Sequence, residues 1–394
     1  MLVLAPHAEN LHVSVAIVGA GIAGVSMAAA LAKDGVSVAL IDYRDRTPSQ
    51  FRAEKIGSGV VDKLTAYGLG AAARKQLTTI DGVWVHRFGR VATSGHDREY
   101  SSPYGDLVNA LRDALPPAVH RVPGRVEEVE ATADEQLLSM SDGRRISARL
   151  VVLATGPGDS LRNRLGLSNE VLSAGHSLTA GFDLANLKSD FAFPSLVWTL
   201  DTPADKTAYL TLFPMGEVMR ANLFSYRDAD DPWIARLRSE PDAALAELFP
   251  ELVATYGAPR VADRVQLRPT DLSRVRGHYR PGVIAIGDAY FTTCPSTGTG
   301  ISKALNDVAV VRKRLPGWLA TPGMGTEKIA SFYDDAAKMT TDRSSLSLSL
   351  RERAARLDPG LKGAMLRVRR NVFRRGAIRV QELLKRAPAN ADAG

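Results

Sequence analysis

The pattern of apolar and polar positions near the start of the chain predicts a strand, a turn, a helix and a second strand. The segment VSVAIVGAGIAGVSMAAALAKDGVSVALID (13–42) contains an apolar run, a glycine-rich corner, an alanine-rich stretch and another apolar run. Continuous apolar runs are typical of strands buried on both faces of a parallel sheet, and small helix residues pack closely on such a sheet. The segment therefore predicts one βαβ unit.

Later segments indicate a chain that leaves this first domain and returns to it. RLVVLATGPG (149–158) and GVIAIGDAY (282–290) have the apolar runs of further buried strands. SLVWTL, AYLTLF and EVMRANLF alternate as in an antiparallel sheet with one solvated face, and the helix-like PWIARLRSEPDAALAELF follows them. We predict an α/β protein with a Rossmann-type domain (1–75, 101–175 and 267–320), an inserted antiparallel-sheet domain (76–100 and 176–266) and a C-terminal helical region with a basic tail (321–394).

Composition places the chain among ordinary globular proteins. It has 394 residues, 45% of them hydrophobic and 24% charged, and its apolar runs stay below the roughly 20 residues that span a bilayer. The single cysteine excludes an internal disulfide and a cysteine-based structural metal site, as is common in reducing compartments. We expect a soluble, cytoplasmic protein without a bound metal.

The net charge of +7 is concentrated near the end of the sequence. Residues 361–386 carry nine Lys and Arg against Glu382, so the remainder of the chain is close to neutral. Apolar residues of this segment, including Leu361, Met365 and Val368, fall near one face of a helix. The segment either docks on the body with a solvated basic rim, or binds an anionic membrane weakly or an acidic carrier protein that delivers the substrate. We expect no nucleic-acid partner.

Gly19-Ala20-Gly21-Ile22-Ala23-Gly24 lies between the first predicted strand and helix, and Asp42 ends the second strand. The first glycine allows a tight turn, the second lets a pyrophosphate approach the backbone, and the third lets helix and strand pack closely. The helix N-terminus then supplies amide donors to phosphate, and Asp42 can accept hydrogen bonds from an adenosine ribose. The motif predicts dinucleotide binding and leaves FAD or NAD open.

Three further segments resemble those of the single-component FAD-dependent aromatic hydroxylases, the p-hydroxybenzoate hydroxylase-like flavoproteins. They are FRAEKIG (51–57), RLVVLATGPG and GDAYFTTCPSTGTG (287–300), and with the glycine motif they follow the family's order across residues 13–320. The resemblance implies a monooxygenase that uses FAD, NAD(P)H and O₂ to hydroxylate an aromatic or similar electron-rich small molecule through a flavin C4a-hydroperoxide, as in secondary metabolism. It also implies that the Rossmann-type domain binds FAD, the inserted domain binds substrate, and the flavin lies between them.

The resemblance assigns roles to individual residues. Arg52 would contact the FAD pyrophosphate, Asp288 its ribityl or ribose hydroxyls, and Pro295 would line the flavin C4a edge. Amides at the start of the following helix would face the flavin edge where negative charge collects on reduction. These amides belong to Gly298, Gly300, Ile301 and Ser302, and further predicted FAD contacts are Tyr43, Arg44, Val126, Thr155 and Gly156.

The sequence departs from the family at four places. The Asp-Gly pair that follows the third strand in the family, and contacts NADPH and ribose there, is replaced in this chain. The family's arginine before a helix is also replaced, which removes one cationic contact with phosphate. The substituted positions are Thr155-Gly156 for Asp-Gly, Phe291 for histidine, Ser302 for asparagine and Tyr104 for arginine.

Cys294 has two interpretations. A nucleophile or covalent flavin link would need a neighbouring base, and the nearest histidine in sequence is His278, so a wall of the flavin or substrate pocket is favoured. Arg220 and Tyr209 on the predicted antiparallel sheet are candidate substrate contacts, and no general base is identifiable. Further candidates on that sheet are Trp198, Tyr226 and His176.

Two alternative functions stay open. A reductase or dehydrogenase on the same fold would transfer hydride without using O₂ productively, and a flavin-binding protein could act through the basic tail. A halogenase is disfavoured because the Trp-x-Trp segment of that group is absent.

Overall fold

The computed structural model describes residues 11–87, 90–94, 98–158, 160–200, 203–361, 363–366 and 368. The chain forms two compact units. The first unit comprises 1–77, 100–174 and 271–347, and the second comprises 78–99, 175–270 and 348–394. The domain boundaries predicted from the sequence stay a prediction.

The helices of the described residues are α1 Ile22–Lys33, α2 Ser58–Ala66, α3 Gly70–Gln76, α4 Tyr104–Asp113, α5 Ser160–Arg164, α6 Pro232–Ser239, α7 Pro241–Leu248, α8 Pro250–Tyr256, α9 Gly300–Leu319, α10 Thr326–Tyr333 and α11 Ala336–Leu357.

The strands are β1 Leu11–Val18, β2 Val38–Asp42, β3 Ala53–Gly57, β4 Thr78–Ile80, β5 Val83–Arg87, β6 Arg90–Ser94, β7 Glu99–Pro103, β8 Val119–Pro123, β9 Val126–Ala131, β10 Gln136–Met140, β11 Arg145–Leu153, β12 Ser168–Leu187, β13 Leu196–Thr199, β14 Thr207–Met215, β15 Val218–Ser225, β16 Gln266–Arg276 and β17 Val283–Ala285.

The first unit is built on a sheet with the strand order β8-β2-β1-β11-β10-β9, in which β17 also pairs with β11. Neighbours among β8, β2, β1, β11 and β17 run parallel, whereas β10 is antiparallel to β11 and to β9. The parallel strands carry the apolar runs of the sequence because helices cover both faces of such a sheet. Val15, Ala16 and Ile17 in β1 are fully buried accordingly.

The second sheet has the order β16-β12-β15-β14-β13-β5-β6. Neighbouring strands in the order β12-β15-β14-β13 run antiparallel, as the alternating pattern predicts. In contrast, β13 and β5 run parallel. The sequence did not indicate this parallel pair, because β5 comes from an earlier excursion of the chain and joins the sheet at the free edge of β13. One face packs apolar side chains such as Phe182, Leu212 and Leu223 against the helices α6 to α8.

The helix-like stretch after the second sheet is three short helices rather than one. Each of α6, α7 and α8 begins with a proline, namely Pro232, Pro241 and Pro250. Proline lacks an amide hydrogen and clashes with the preceding turn inside a helix, but it is well accommodated at the first helical position. The two later prolines therefore divide the stretch.

The start of the basic tail is exposed. Leu361, Met365 and Val368 have exposed fractions of 86%, 71% and 61%. For these three residues the interpretation as a helix docked on the body is wrong, because docking would bury them. The tail beyond Val368 lies outside the described residues. In the described part of the chain, each helix is too short or too polar to cross a bilayer.

Candidate functional site

The parallel strands of the first unit end in register. Val18 at the end of β1 lies opposite Ile41 in β2 and Leu153 in β11. Leu153 in turn lies opposite Ala285 at the end of β17. The residues that follow these strand ends therefore meet at one edge of the sheet, where open α/β sheets bind their ligands.

The glycine motif forms the turn that the sequence predicts. Gly19 has a φ of +105°, and a Cβ atom there would lie 2.5 Å from the carbonyl oxygen of Ala154. A Cβ on Gly24 would overlap the carbonyl oxygen of Gly19. α1 begins after Gly21, which has no side chain to cap the helix, and its first turn contains no acidic residue. The helix N-terminus therefore presents amide donors and the positive end of its dipole at the strand edge.

Asp42 braces this turn. Its Oδ2 accepts a hydrogen bond from the amide of Ala20 at 2.6 Å, and its Oδ1 accepts one from the amide of Arg44 at 2.9 Å. The carboxylate is partly buried and retains lone pairs, because each oxygen can accept more than one hydrogen bond. It can therefore hold the turn and still accept hydrogen bonds from a sugar hydroxyl.

Arg112 is a residue of the site that the sequence analysis missed. Its guanidinium donates to the carbonyl oxygens of Ala20 at 2.8 Å, Arg44 at 3.0 Å and Asp45 at 2.9 Å, and to Oδ2 of Asp42 at 3.3 Å. Only 5% of Arg112 is exposed, and this burial lowers its pKa from the ordinary arginine value. The sequence did contain one indication of this burial: Arg112 lies four residues after the buried Val108, on the apolar face of α4.

A cavity of about 340 Å³ lies beside Asp42 and the glycine turn. Its wall combines backbone, two carboxylates and three arginines, as a ligand with sugar and phosphate groups requires. The lining residues are Ala20, Leu40, Asp42, Arg44, Asp45, Arg112, Arg121, Val122 and Pro123. Arg44 is the predicted residue among the three arginines. Of the other two nearby predictions, Tyr43 is 55% exposed and Val126 is buried in the core.

Arg52 and Tyr104 lie together at the N-terminus of α1. The Arg52 guanidinium stacks 4.2 Å from the centre of the Tyr104 ring, and its Nε donates to Glu54 at 2.5 Å. Burial lowers the pKa of Arg52, but the negative charges of Glu54 and Asp288 raise it further than burial lowers it. The Tyr104 hydroxyl accepts a hydrogen bond from the amide of Ile22 at 3.3 Å. Tyr104, which replaces the family's arginine, thus contacts the N-terminus of α1.

The segment 287–300 forms two short turns before α9. Gly287 has a φ of +59°, Asp288 follows it, and Pro295 starts the second turn. Thr299 directly precedes α9 and its side chain does not cap the helix, so the first amides of α9 do not bond to it. Gly300, Ile301 and Ser302 begin α9, whereas Gly298 ends the preceding turn with a φ of +64°; their contacts with flavin stay a prediction.

Cys294 is completely buried as a free thiol. Its Sγ lies 3.0 Å from Oγ of Ser296. The thiol therefore contacts a neutral hydroxyl, and a base would be needed to activate it as a nucleophile. The interpretation as a pocket wall stays a prediction.

The predicted substrate residues lie on the second sheet. Arg220 on β15 pairs with Asp183 on β12 at 2.6 Å, and the Tyr209 ring packs 4.8 Å from that of Phe224. The remaining candidates occupy other environments: Trp198 stacks on His86 at 3.5 Å between ring centres, and the rings of His176 and Tyr226 lie edge to face at 6.1 Å. The structure brings Arg220 and Tyr209 to one sheet face and places Trp198 on the other, since side chains alternate along a strand.

The face that carries Arg220 and Tyr209 also contains buried polar atoms that sequence reasoning missed. Thr179, Thr211 and Asn222 are 8%, 5% and 8% exposed, and Thr179 Oγ1, Thr211 Oγ1 and Asn222 Oδ1 have no hydrogen-bond partner within the described ranges. Register places all three on the same face, because Thr179 and Tyr209 lie opposite Phe224 and Thr211 lies opposite Asn222. Buried polar groups are normally paired, so this face is suited to a polar ligand.

His176 in the second unit makes the stability of the folded protein depend on pH. Burial, assisted by the charge of Arg353, lowers the pKa of His176 from 6.5 to about 4. Between pH 6.5 and about 4, His176 is therefore protonated in the unfolded chain and neutral in the folded chain. The free energy of unfolding consequently decreases as the pH falls from 7 towards 4. Between pH 7 and pH 5 the loss is about 2 kcal/mol from the difference in pKa.

We expect His176→Gln to remove about that part of the pH dependence. The measurement is urea unfolding of both proteins at pH 7 and pH 5, followed by tryptophan fluorescence, because three of the four tryptophans lie in the second unit. An equal loss of stability in the two proteins would contradict the assignment. The exposed His120 provides the control substitution, His120→Gln, which should leave the pH dependence unchanged.

The residues at the strand edge of the first unit fit FAD. The glycines leave room for a pyrophosphate where side chains would collide, and the cavity beside Asp42 accommodates a nucleoside. Thr155, the second residue after β11, has its Oγ1 buried without a partner in the described structure, so this hydroxyl can bond to a ligand. Fold and site together define a dinucleotide-binding α/β protein.

Comparison with known proteins identifies the family. Residues 12–334 match the family described as "FAD binding domain", so the chain belongs to that family. It is 26% identical to 3-amino-4-hydroxybenzoate 2-monooxygenase PtmB3 of Streptomyces platensis, over 80% of this chain and 83% of that protein. It is also 26% identical to 3-demethoxyubiquinol 3-hydroxylase of Escherichia coli K12, over 76% and 78% of the two chains.

A solved structure supports the same fold. P. aeruginosa PqsL in complex with 2-aminobenzoylacetate superposes with a TM-score of 0.72 at 18% identity, over 88% of this chain and 97% of that one. The predicted fold class, the FAD cofactor and the monooxygenase class are confirmed, and NAD(P)H as reductant stays a prediction. The protein is an FAD-dependent oxidoreductase that acts on a small molecule with O₂, and the reductase alternative is not favoured.

Proposed function

We propose that this monooxygenase hydroxylates an aromatic small molecule whose ring substituents form hydrogen bonds. The supporting observation is the mixed face of the second sheet, where Thr179, Thr211 and Asn222 keep buried polar atoms beside the aromatic side chains of Tyr209 and Phe224. A buried polar atom without a partner is unfavourable in the free protein, and a ligand that pairs with it recovers that free energy.

The two units then have separate roles. The first unit binds FAD and the second binds the substrate. When bound, FAD supplies the redox chemistry that transfers one oxygen atom from O₂ to the substrate. The amides of α1 and Arg52 bind its pyrophosphate, Asp42 its ribose, and Asp288 its ribityl hydroxyls. Pro295 and the amides that open α9 lie against the flavin ring, and the other predicted contacts, including Thr155 and Gly156, complete the site.

Arg220 supplies a guanidinium donor on the proposed substrate face that can orient an anionic or phenolic molecule. Arg220 is paired with Asp183, whose side chain is 39% exposed, so a carboxylate on the substrate can exchange with or join this pair. Two relatives are named for reactions of an aminohydroxybenzoate and a demethoxyubiquinol, and PqsL was solved with an aminobenzoyl compound. An amino- or hydroxy-substituted aromatic acid combines these chemical features.

The direct test uses 3-amino-4-hydroxybenzoate and p-nitrophenol as probes. We expect the FAD-loaded protein to consume NADH or NADPH faster with at least one probe, and to place one ¹⁸O atom from ¹⁸O₂ in the product, as measured by mass spectrometry. Peroxide release with unlabelled probes in every reaction would contradict the proposal. A preparation that neither retains nor binds FAD would contradict the assignment of the cofactor site.

Thr211→Val tests the proposed substrate face. Valine has nearly the same shape and removes the unpartnered hydroxyl, so we expect the free protein to gain about 1 kcal/mol of unfolding free energy. The KM for a hydroxylated probe should rise at least fivefold, because the substrate loses a buried hydrogen bond. Urea unfolding and steady-state kinetics measure the two effects.

Thr207→Val is the matched control. Thr207 is also fully buried on β14, but its hydroxyl donates to the carbonyl oxygen of Asp205 at 2.8 Å. This variant should lose about 1 kcal/mol of stability and leave KM unchanged. If Thr211→Val destabilises the protein without a change in KM, the hydroxyl has a structural role and the proposed face is wrong.

We further propose that the basic tail binds anionic membrane surfaces. Leu361, Met365 and Val368 are exposed at helical spacing, and the surrounding sequence 361–386 has a local charge of +8. The full chain should sediment with phosphatidylglycerol vesicles at low salt and not with phosphatidylcholine vesicles. Equal binding after all three apolar residues are changed to serine would contradict membrane binding, and binding to an acidic carrier protein instead would replace it. We also propose a cytoplasmic location, with which a chain that has a single cysteine and so no internal disulfide is consistent.

A further inference from the structure

Three charged side chains are buried together in the first unit, and a fourth, Asp342, is partly buried beside them. Lys303 and Asp307 lie on α9, and Lys338 and Asp342 lie on α11. The exposed fractions of Lys303, Asp307 and Lys338 are 0%, 1% and 1%. Removing charges from water is costly unless they are paired and hydrogen-bonded, so a cluster of this kind needs an explanation.

Lys338 links the two carboxylates. Its Nζ lies 2.8 Å from Oδ1 of Asp307 and 3.1 Å from Oδ2 of Asp342. Burial raises the pKa of Asp342, and this effect exceeds the opposing influence of Lys338. Asp307 is the closer of the two carboxylates to Lys338, and its second oxygen is available for another donor.

The cluster holds the backbone of one residue on both sides. Oδ2 of Asp307 accepts a hydrogen bond from the amide of Gly287 at 2.9 Å, and Nζ of Lys303 donates to the carbonyl oxygen of the same residue at 3.0 Å. Gly287 has a left-handed φ of +59° and packs between two helices, because a Cβ there would lie 3.3 Å from Ala304 and 3.6 Å from Ala23. Its conformation is thus fixed by charge-assisted hydrogen bonds as well as by packing.

Aromatic rings close the cluster on the side of the same turn. Nζ of Lys338 lies 4.3 Å from the centre of the Tyr290 ring, and Nζ of Lys303 lies 5.4 Å from that of Phe291. Both lysines are stabilised by these ring faces, and the rings exclude water from the ion pairs. The residues on each side of Asp288 are therefore tied to one buried network.

We propose that Lys303, Asp307 and Lys338 are positioning residues that hold the Gly287 peptide, and through it Asp288, in the geometry that binds FAD. This inference rests on the proposed role of Asp288. The network itself lies behind the turn and acts on the cofactor through the backbone. Asp288 is adjacent to the clamped peptide, so small rotations of Gly287 move its carboxylate directly.

The test is the dissociation constant of FAD, measured by flavin fluorescence on dilution of the holoenzyme, well below the unfolding temperature of each variant. We expect Lys303→Met to raise this constant at least tenfold. Lys313→Met, an exposed lysine on the same helix, is the matched control and should change it less than twofold. An unchanged constant in Lys303→Met would overturn the proposal. If Lys303→Met does not fold, Lys303→Gln serves instead, with an expected rise of at least threefold.

A double-mutant cycle separates positioning from a general structural role. If Lys303 acts through Asp288, Lys303→Met should change the FAD dissociation constant less than twofold in an Asp288→Ala background. Independent, multiplicative effects would overturn the inference. An Asp288→Ala protein with an unaltered constant would instead contradict the proposed role of Asp288, so the two failures are distinguishable.

Discussion

Gly24→Ala is expected to abolish FAD retention and to reduce the unfolding free energy by about 4 kcal/mol or more. The new methyl group would overlap the carbonyl oxygen of Gly19 and lie 3.3 Å from the Cβ of Ala154. Both neighbours directly follow strands of the central sheet, since Gly19 follows β1 and Ala154 follows β11. The turn can then accommodate the alanine only if α1 moves away from the sheet.

The measurements are the flavin absorbance of the purified variant and its urea unfolding. Gly59→Ala is the matched control, because Gly59 is exposed in α2, has no atom within 4 Å of its Cβ position and keeps a negative φ. That variant should gain about 0.5 to 1 kcal/mol, since alanine loses less chain entropy than glycine in a helix. If Gly24→Ala retains FAD at wild-type affinity, the close approach of α1 to the strand edge is not required.

Arg112→Met is expected to reduce the unfolding free energy by about 3 to 5 kcal/mol, because a partly buried carboxylate and three carbonyl oxygens lose this charged donor. The carboxylate is that of Asp42, which also receives the amide of Ala20 in the cofactor turn. FAD affinity should fall with stability, since the same guanidinium fixes the wall of the cavity beside Asp42.

Arg121→Met distinguishes this effect from a simple loss of positive charge. Arg121 lines the same cavity, but its side chain is 49% exposed and lies 3.9 Å from Asp45. Exposed ion pairs contribute little, so this variant should stay within about 0.5 kcal/mol of the wild type. Equal losses in both arginine variants, measured by urea unfolding, would show that charge in the cavity matters and that the Arg112 hydrogen bonds do not.

Some parts of the candidate site are formed by residues close together in sequence, and other parts by residues far apart in sequence. The glycine turn, the strand end at Asp42 and the start of α9 could be predicted because each depends on residues within a few positions of one another. Arg112 could not be assigned a role in this way, because it reaches the turn from a residue 92 positions away. Its charge in an amphipathic helix gives no indication of which backbone carbonyls it meets.

The same distinction holds on the second sheet. The alternating pattern predicts strands, but the face on which Thr179, Thr211 and Asn222 keep unpartnered atoms depends on the register between β12, β14 and β15. A shift of the strand pairing by one residue would turn each side chain to the opposite face of the sheet, and the register could not be predicted from the sequence. Prolines in α6 to α8 were visible, yet their effect on helix boundaries was missed.

The sequence by itself determined the dinucleotide-binding fold, because glycine spacing and apolar runs act through local geometry, and its resemblance to the FAD-dependent hydroxylases indicated the flavoprotein class. Tertiary structure decided how distant charges are paired. It placed Arg112 on the cofactor turn and brought Lys303, Asp307 and Lys338 around the Gly287 peptide. A buried charge is tolerated only where the folded chain supplies a partner, and that partner is set by packing between elements that are remote in sequence.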